Sequence, residues 1–511
     1  MRAWCDSAFL YVAATQERQL LQVSLQMHIV VLPALAVLFI GVIKLVTTLV
    51  QRATSPLSSV PGPWHTRWTS AASRYHWIRG ELPAWTQELH EKYGDVVRVN
   101  PRAVDFCSVA AAKKIHSFNR PFLKSTMYKS FGSVKGIPDV FSVRDPIIHA
   151  RHRKLLSAPI SDSGLKSFEH VVHARANLAV EQIGKEMEMN GTADVLKWWM
   201  FFSTDVIGEL TFGDSFRMLE KGKVNAYAKD LQDIAGHLGA RLTFPTVLRL
   251  ASYIPIPKFS AAFEANVRMR TYAETSIIRY ENIVAAQPDI HQPSLFSKLF
   301  NTKEETMPRA EIVSNAQSYI TAGSDTTAHT LSYLTWAVSK NEAVKAKLVA
   351  ELQTLPEGYS DEDLKKLKYL NQVIYETLRC YAAAPALLPR VVPAGGCEID
   401  GYLMPGGTDV QTQAYSMHRN PEVFPDPERY DPERWESPTK DMNDAWMPFG
   451  GGARVCLGIH LARMELRVAT AKFFTTFPNA KVPSGFNDAE MEQVIVFLMY
   501  PKGKRTMIQS S

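Results

Sequence analysis

The sequence predicts a mainly α protein with minor β, one large domain standing behind an N-terminal transmembrane helix. Three observations carry that expectation. Apolar residues recur at helical spacing over 82–93, 147–157, 165–189, 197–212, 266–287, 309–339 and 362–380. Strand-like runs are short, at 96–100, 397–399 and 494–499, with turn residues beside them. Residues 29–50 form an unbroken apolar run carrying a single charge, Lys44.

That run has 22 residues, enough to cross a bilayer at about 1.5 Å per residue. A secretory signal has a shorter apolar region and a small-residue cleavage site. Before the run, Arg2 and Arg18 are balanced by Asp6 and Glu17; after it, Arg52, Arg67, Arg74 and Arg79 all precede the first acidic residue, Glu81. Positive charge stays on the cytosolic side, so the body is expected in the cytosol. The expected organisation is an N-terminal extension (1–28), a transmembrane anchor (29–50), a proline-rich linker (51–63) and a catalytic domain (64–511). Met27 is an alternative start.

The body is ordinary globular material, 46% hydrophobic and 21% charged. Its net charge of +6, 57 basic less 51 acidic residues, is too mild to argue for a nucleic-acid partner. The five cysteines are Cys5, Cys107, Cys380, Cys397 and Cys456. Without a CxxC pair they build neither a disulfide framework nor a tetrahedral zinc site. The stretch from 388 to 452, rich in proline and glycine, is too long for an ordinary connection and reads as a functional meander.

The chemistry centres on 449-FGGGARVCLG-458. An amphipathic helix follows Cys456, so the thiol stands at a helix N-terminus, where free N–H groups and the helix dipole favour a thiolate. Glycine-rich turns into helices also hold phosphates, but the Gly-x4-Gly-Lys-Ser/Thr pattern is absent. A nucleophilic or redox cysteine is a second reading, without an evident base; an inert buried cysteine is a third.

Phe449, Gly452, Arg454, Cys456 and Gly458 resemble, at all five fixed positions, the haem-binding signature of the cytochrome P450 family. The resemblance implies the cytochrome P450 fold with a single large haem domain, and haem b (iron protoporphyrin IX) as cofactor. Cys456 is then the axial thiolate ligand of the iron, Arg454 a partner of a propionate, and Phe449 a neighbour of the ring, with Gly450, Gly452 and Gly458 in the loop that holds it.

Three further clusters extend the resemblance. The stretch 322-AGSDTT-327 interrupts an apolar helix with polar residues. By themselves its hydroxyls read as bonding back to the preceding turn. It is similar to the family's oxygen-activation motif, which implies that Ala322 and Gly323 let the helix open, that Asp325 relays protons and that Thr326 hydrogen-bonds dioxygen or water. Glu376 and Arg379 in 376-ETLR-379 match the family's Glu-x-x-Arg pair. Arg434 in 432-PERW-435 is expected as the third member of a structural triad, and Arg429 in the nearby PERY is the rival. His149 and Arg153, four apart, stand where many members carry Trp-x-x-x-Arg, and with Arg390 are expected to bind the propionates. Ala322, Ala386 and Leu387 are expected in the substrate pocket, with 132–143, 201–212 and 494–500 as further walls.

The activity so implied is a monooxygenase, inserting one oxygen atom from dioxygen into a lipophilic small molecule. Its electrons come from NADPH through a separate NADPH–cytochrome reductase, with cytochrome b5 as a further partner. The style of the motifs resembles filamentous-fungal members of secondary metabolism, and the anchor implies contact with membrane lipid in the endoplasmic reticulum. The alternatives are a haem-thiolate isomerase or dehydratase that needs no dioxygen, and a non-catalytic haem-binding protein.

Overall fold

The computed structural model describes residues 31–118, 122–132, 136–226, 229–230, 257–286, 294–296 and 307–510, with a few isolated residues besides. The expected N-terminal extension lies almost wholly outside them. The chain divides into two units, Met1–Ser59 and Val60–Ser511.

In the first unit helix α1 (Val31–Thr54) is long and apolar enough to cross a membrane. Leu38, Phe39 and Ile40 are exposed along it. The helix runs four residues into the stretch read as a linker, and a 3-10 turn, Pro56–Ser59, follows. Pro56 disfavours helix at the residue before it, which is where α1 stops.

The second unit is built on long helices. Helix α2 (Pro146–Leu156) starts with Pro146 in its first turn, and the Asp145 side chain accepts from the Ile147 and Ile148 N–H groups. This is a standard N-cap. Helices α3 (Glu169–Asn190) and α4 (Val195–Phe212) both end on left-handed glycines, Gly191 and Gly213. Helix α5 (Arg309–Lys340) is continuous and almost wholly buried in the core. Helix α6 (Lys368–Cys380) precedes the meander, and α7 (Ile459–Thr476) follows the cysteine loop.

Helices α4, α5 and α7 meet in the main core. Trp199 donates its indole N–H to Thr335 Oγ1 at 3.1 Å, and its ring meets Phe473 at 5.9 Å. Ser203 Oγ donates to the Ser324 carbonyl at 2.6 Å. A Cβ at Gly323 would stand 2.8 Å from Ile207 Cγ1, so α5 can approach α4 this closely only with glycine there. The expected opening of α5 at Ala322 and Gly323 is not seen. Gly323 serves the contact with α4. The segment 201–212, expected as a pocket wall, is corrected in the same way: it is the buried body of α4, with Phe201, Phe202, Val206 and Leu210 in the core.

Two predicted helices are broken. The run 165–189 is a short helix Asp162–Leu165, a 3-10 turn Lys166–Phe168 and then α3. The run 362–380 is Asp361–Lys366, an extended Leu367 and then α6. The second break is held by tertiary partners that periodicity does not show. Glu351, on the helix Glu342–Leu352, accepts from the Tyr369 and Leu370 N–H groups at 2.8 and 2.7 Å. Asn371 Nδ2 donates to the Leu367 carbonyl at 2.6 Å.

The strands are β1 (Val96–Asn100), β2 (Ala103–Phe106), β3 (Leu123–Lys124), β4 (Arg390–Val391), β5 (Cys397–Ile399), β6 (Tyr402–Met404), β7 (Asp409–Gln411), β8 (Gln493–Ile495) and β9 (Met499–Pro501), with a small pair Ala193–Asp194 and Met507–Ile508. The main sheet runs β1-β2-β7-β4-β3. Pairing of β3 with β4 sets Lys124 opposite Arg390. The predicted strand 494–499 is a hairpin, β8 against β9, because the chain reverses between Ile495 and Met499.

Gly323→Val is expected to cost about 1–3 kcal/mol, the usual range for overpacking, read as a lower urea midpoint. Adding Ile207→Ala is expected to leave the double variant more stable than the sum of the two single losses. Strictly additive losses would show that α4 and α5 do not meet there.

Candidate active site

The cysteine loop closes on itself. Cys456 N–H donates to the Phe449 carbonyl at 2.9 Å. Gly450 and Gly452 have φ of 70° and 61°, a left-handed conformation that suits glycine. At Gly452 a Cβ would also strike the His116 carbonyl. Gly458 has the opposite surroundings: its Cβ would meet nothing nearer than Ile160 at 3.9 Å. Phe449 is half-buried, beside Trp446 and within 5.8 Å of Arg463.

Cys456 keeps accessible surface, yet burial raises its thiol pKa; the Gly458 N–H and the charge of Arg153 pull it back less strongly. The sulfur therefore faces an enclosed space rather than bulk water. Position at a helix N-terminus does not by itself make it a thiolate, because desolvation wins.

A ring of cations surrounds this loop. Arg454 donates to the carbonyls of Val143 and Arg144 at 2.8 and 3.3 Å, and Arg153 to the carbonyl of Val455 at 2.8 Å. Arg390 is buried and donates to the carbonyls of Pro389 and Leu388 and to Tyr128 Oη. Lys124, also buried, donates to the Phe141 carbonyl and lies 4.2 Å from the centre of the Tyr128 ring. Asp139 and Asp145 act on Lys124 and Arg454 through space, but none of these four cations makes an ion pair among the described residues. Burial, then Arg390, pushes Arg454 down to about 10. Burial, then Arg390 and Arg454, holds Lys124 well below its usual range. His149 is buried among them and is pushed down to about 3 by burial, Arg454, Lys124 and Arg153. Buried cations that lie close together and meet carbonyls, a tyrosine hydroxyl and aromatic rings in place of carboxylates form a site for anions.

The polar stretch of α5 is placed differently. Thr321 and Ala322 keep accessible surface in the middle of a helix whose other faces are buried. Ser324 and Thr326 hydroxyls donate back to the Ile320 and Ala322 carbonyls at 2.8 and 2.7 Å. Asp325 is buried with Oδ1 unpartnered, and burial raises it to about 6. Tyr319, on the same helix, feels both Arg153 and Cys456 electrostatically, so α5, α2 and the cysteine loop converge. Ala386 packs with Tyr333, Met491, Ile495 and Met499, and Leu387 bridges to Gln413; both are buried.

Beneath the loop, Glu376 is fully buried and accepts from five nitrogen donors. Arg379 supplies two at 2.9 and 2.8 Å, Arg434 Nε one at 3.1 Å, Trp435 Nε1 one at 2.9 Å and the Asp431 N–H one at 2.9 Å. Arg429 is largely exposed and faces Asp431 at 3.9 Å; the structure brings Arg434, not Arg429, to Glu376. Arg379 also donates to the carbonyls of His418 and Pro427. His418, kept neutral by burial, donates from Nδ1 to the Arg379 carbonyl and accepts the Met447 N–H at Nε2, both at 2.9 Å.

The sequence profile described as Cytochrome P450 matches residues 61–506 of this chain. The chain belongs to the cytochrome P450 family. Among its relatives are the cytochrome P450 monooxygenase tazI of Aspergillus terreus, 43% identical over 93% of this chain and 98% of the relative, and orf2 of Aspergillus niger, 41% identical over 91% and 95%. The cytochrome P450 monooxygenase stcB of Emericella nidulans is 32% identical over 89% and 88%. The enzyme class is accordingly a haem-thiolate monooxygenase.

The residues fit the haem that this cytochrome P450 family implies. A single thiol faces an enclosed space, and four cations without a carboxylate partner among the described residues stand around its loop, as a group with two propionates would need. Burial opposes a free thiolate, so a metal cation is what would hold the sulfur deprotonated.

Several polar residues here were missed in the sequence. Lys124 and His116 had no motif. Glu465 lies in the amphipathic helix α7, where its spacing from Leu461 and Val468 puts it on the apolar face. It is buried, accepts from Thr327 Oγ1 at 2.8 Å, and is raised by burial to about 8.

Glu376→Gln leaves two guanidinium groups around a neutral amide. It is expected to cost about 3–5 kcal/mol, the range for breaking a buried pair, in urea unfolding, with a parallel loss of haem content; Arg429→Gln should change neither. Glu465 gives a pH dependence. Its folded pKa lies above the ordinary 4.5, so its contribution is complete below that value and is lost as pH rises through about 8. The urea midpoint of Glu465→Gln is expected to gain on the wild type as pH rises from about 5 to about 9. Parallel curves would contradict the buried, protonated Glu465.

Proposed function

We propose that this chain oxidises a lipophilic secondary metabolite, or its precursor, in a fungal cell, with Cys456 as the axial ligand of its haem. The observation that carries the reading is the lone thiol, facing an enclosed space inside a ring of cations that have no carboxylate partner among the described residues. When bound, haem supplies iron for dioxygen chemistry, and a thiolate ligand favours O–O cleavage.

Each protein group has a task in this reading. The Gly458 N–H supports the sulfur, and Phe449 packs beside the ring. Arg153, Arg390 and Arg454 take the propionates, helped by His149 in place of the tryptophan found in many members. A neutral imidazole donates one hydrogen bond without adding charge to an already crowded cluster. On the α5 side Asp325, raised by burial to about 6, takes up a proton and passes it toward Thr326. Ala322 leaves room there, while Ala386 and Leu387 bound the pocket with apolar surface suited to a lipophilic substrate.

Electrons are assigned to NADPH through a separate membrane-bound reductase, with cytochrome b5 as a further donor. Helix α1 anchors the chain in the endoplasmic reticulum, and the arginines after it place residues 64–511 in the cytosol. The Aspergillus relatives support the fungal assignment.

Cys456→Ser is expected to abolish the thiolate-type band of the reduced carbon monoxide complex. Retention of that band would end the reading. Asp325→Asn is expected to keep the band and to lower NADPH-driven product formation by about 100-fold or more, the scale of a positioned acid, in a product screen against lipophilic aromatic and terpenoid compounds with reductase supplied.

A further inference from the structure

His329 stands four residues beyond Asp325 on α5, and residues so spaced share one helix face. The two side chains are equally buried, each 8% exposed. Each leaves one enclosed polar atom without a partner, Oδ1 of Asp325 and Nδ1 of His329. Their neighbours behave otherwise: Ser324, Thr326 and Thr330 all satisfy themselves on carbonyls of their own helix. An enclosed unpaired polar atom costs about 1–3 kcal/mol, and here two occur one turn apart. A single water with a donor for each atom removes both costs.

The surroundings give this pair a direction. The His329 ring lies 6.4 Å from the ring of Tyr500, a half-exposed residue of β9 in the C-terminal hairpin. Burial is the sole cause that raises Asp325 and lowers His329 to about 4. No charged side chain competes for the pair, and the imidazole stays neutral with a lone pair to offer at Nδ1.

We propose that His329 is a positioning residue for proton delivery, holding a water between its Nδ1 and Oδ1 of Asp325 so that Asp325 is recharged from the Tyr500 side. The inference rests on the monooxygenase reading above. Each proton that Asp325 gives up toward Thr326 is replaced by one from this water, and the water regains its own from solvent. No charge accumulates and His329 is not consumed.

The test uses the full-length holoenzyme with reductase and NADPH and no organic substrate. It measures hydrogen peroxide released per NADPH oxidised, and the infrared carboxyl band of Asp325, identified by its loss in Asp325→Asn. That band is recorded in the resting enzyme on the acid side of the Asp325 titration. His329→Leu is expected to retain haem and its carbon monoxide spectrum, raise the peroxide fraction several-fold, and move the band to higher frequency, as a carboxyl does on losing a hydrogen bond. His329→Asn, whose amide reaches the place of Nδ1, is expected to restore both readouts. Asp325→Asn combined with His329→Leu should be no worse than Asp325→Asn alone. An unchanged peroxide fraction and band in His329→Leu, or additive losses in the double variant, overturns the proposal. If wild-type enzyme oxidises no NADPH, the monooxygenase reading fails, and the infrared comparison still decides the pair.

Discussion

Everything near the thiol depends on one buried carboxylate. Glu376 receives donors from its own helix, from Arg434 and Trp435 in the meander, and from the Asp431 backbone. A buried ion pair repays its desolvation only when its remaining lone pairs and protons are also satisfied. Here they are: the spare donors of Arg379 go to the carbonyls of His418, Pro427 and Arg429. His418 then carries the constraint into the cysteine loop through the Met447 N–H. The long meander is thus not loose chain but chain whose polar atoms are used up by two helical residues. A loop that must present one sulfur at a fixed point needs such a foundation, because glycines at 450, 451 and 452 supply none of their own.

Burial acts in opposite senses around the site. In the cysteine loop it raises the thiol and lowers Arg454 and Lys124, so both signs of charge are disfavoured until a group bringing a metal cation and two carboxylates offsets them together. On α5 and α7 it raises Asp325 to about 6 and Glu465 to about 8, so that Glu465 keeps its proton at neutral pH and Asp325 is brought close to it. One low-dielectric interior therefore suits an anionic cofactor on one side and proton-exchanging carboxyls on the other.

The parts of this arrangement legible in the sequence are those encoded locally. The periods at 82–93 and 309–339 are the helices Leu82–Tyr93 and Arg309–Lys340, because apolar spacing is a property of the local sequence and proline stands at the start of each. The break at Leu367 was hidden, since its cause is Glu351 reaching over from another helix. The same division holds for the site. Short motifs that resemble the family's mark Cys456, Arg454, Asp325 and the Glu376–Arg379 pair. Lys124 looks like any surface lysine until β3 pairs with β4 and sets it opposite Arg390. The resemblance favours Arg434 over Arg429, its rival in a similar Pro-Glu-Arg repeat, and the physical reason is tertiary: the 3-10 turn Pro432–Trp435 turns Arg434 and Trp435 together onto Glu376.

The hydroxyl of Thr326 shows why an acid must stand beside it. Its one hydrogen is committed to the Ala322 carbonyl at 2.7 Å, so in this conformation the oxygen has lone pairs to offer and no free proton. An alcohol in that state can orient a water or accept from it, but it cannot be the source of a proton. The source has to be a group that can take up and give a proton within reach of working pH, and that is enclosed. Asp325 is buried, and burial alone raises it to about 6. In the proposed reading Thr326 therefore orients and Asp325 exchanges the proton, and neither residue alone accounts for the polar interruption of an otherwise buried helix.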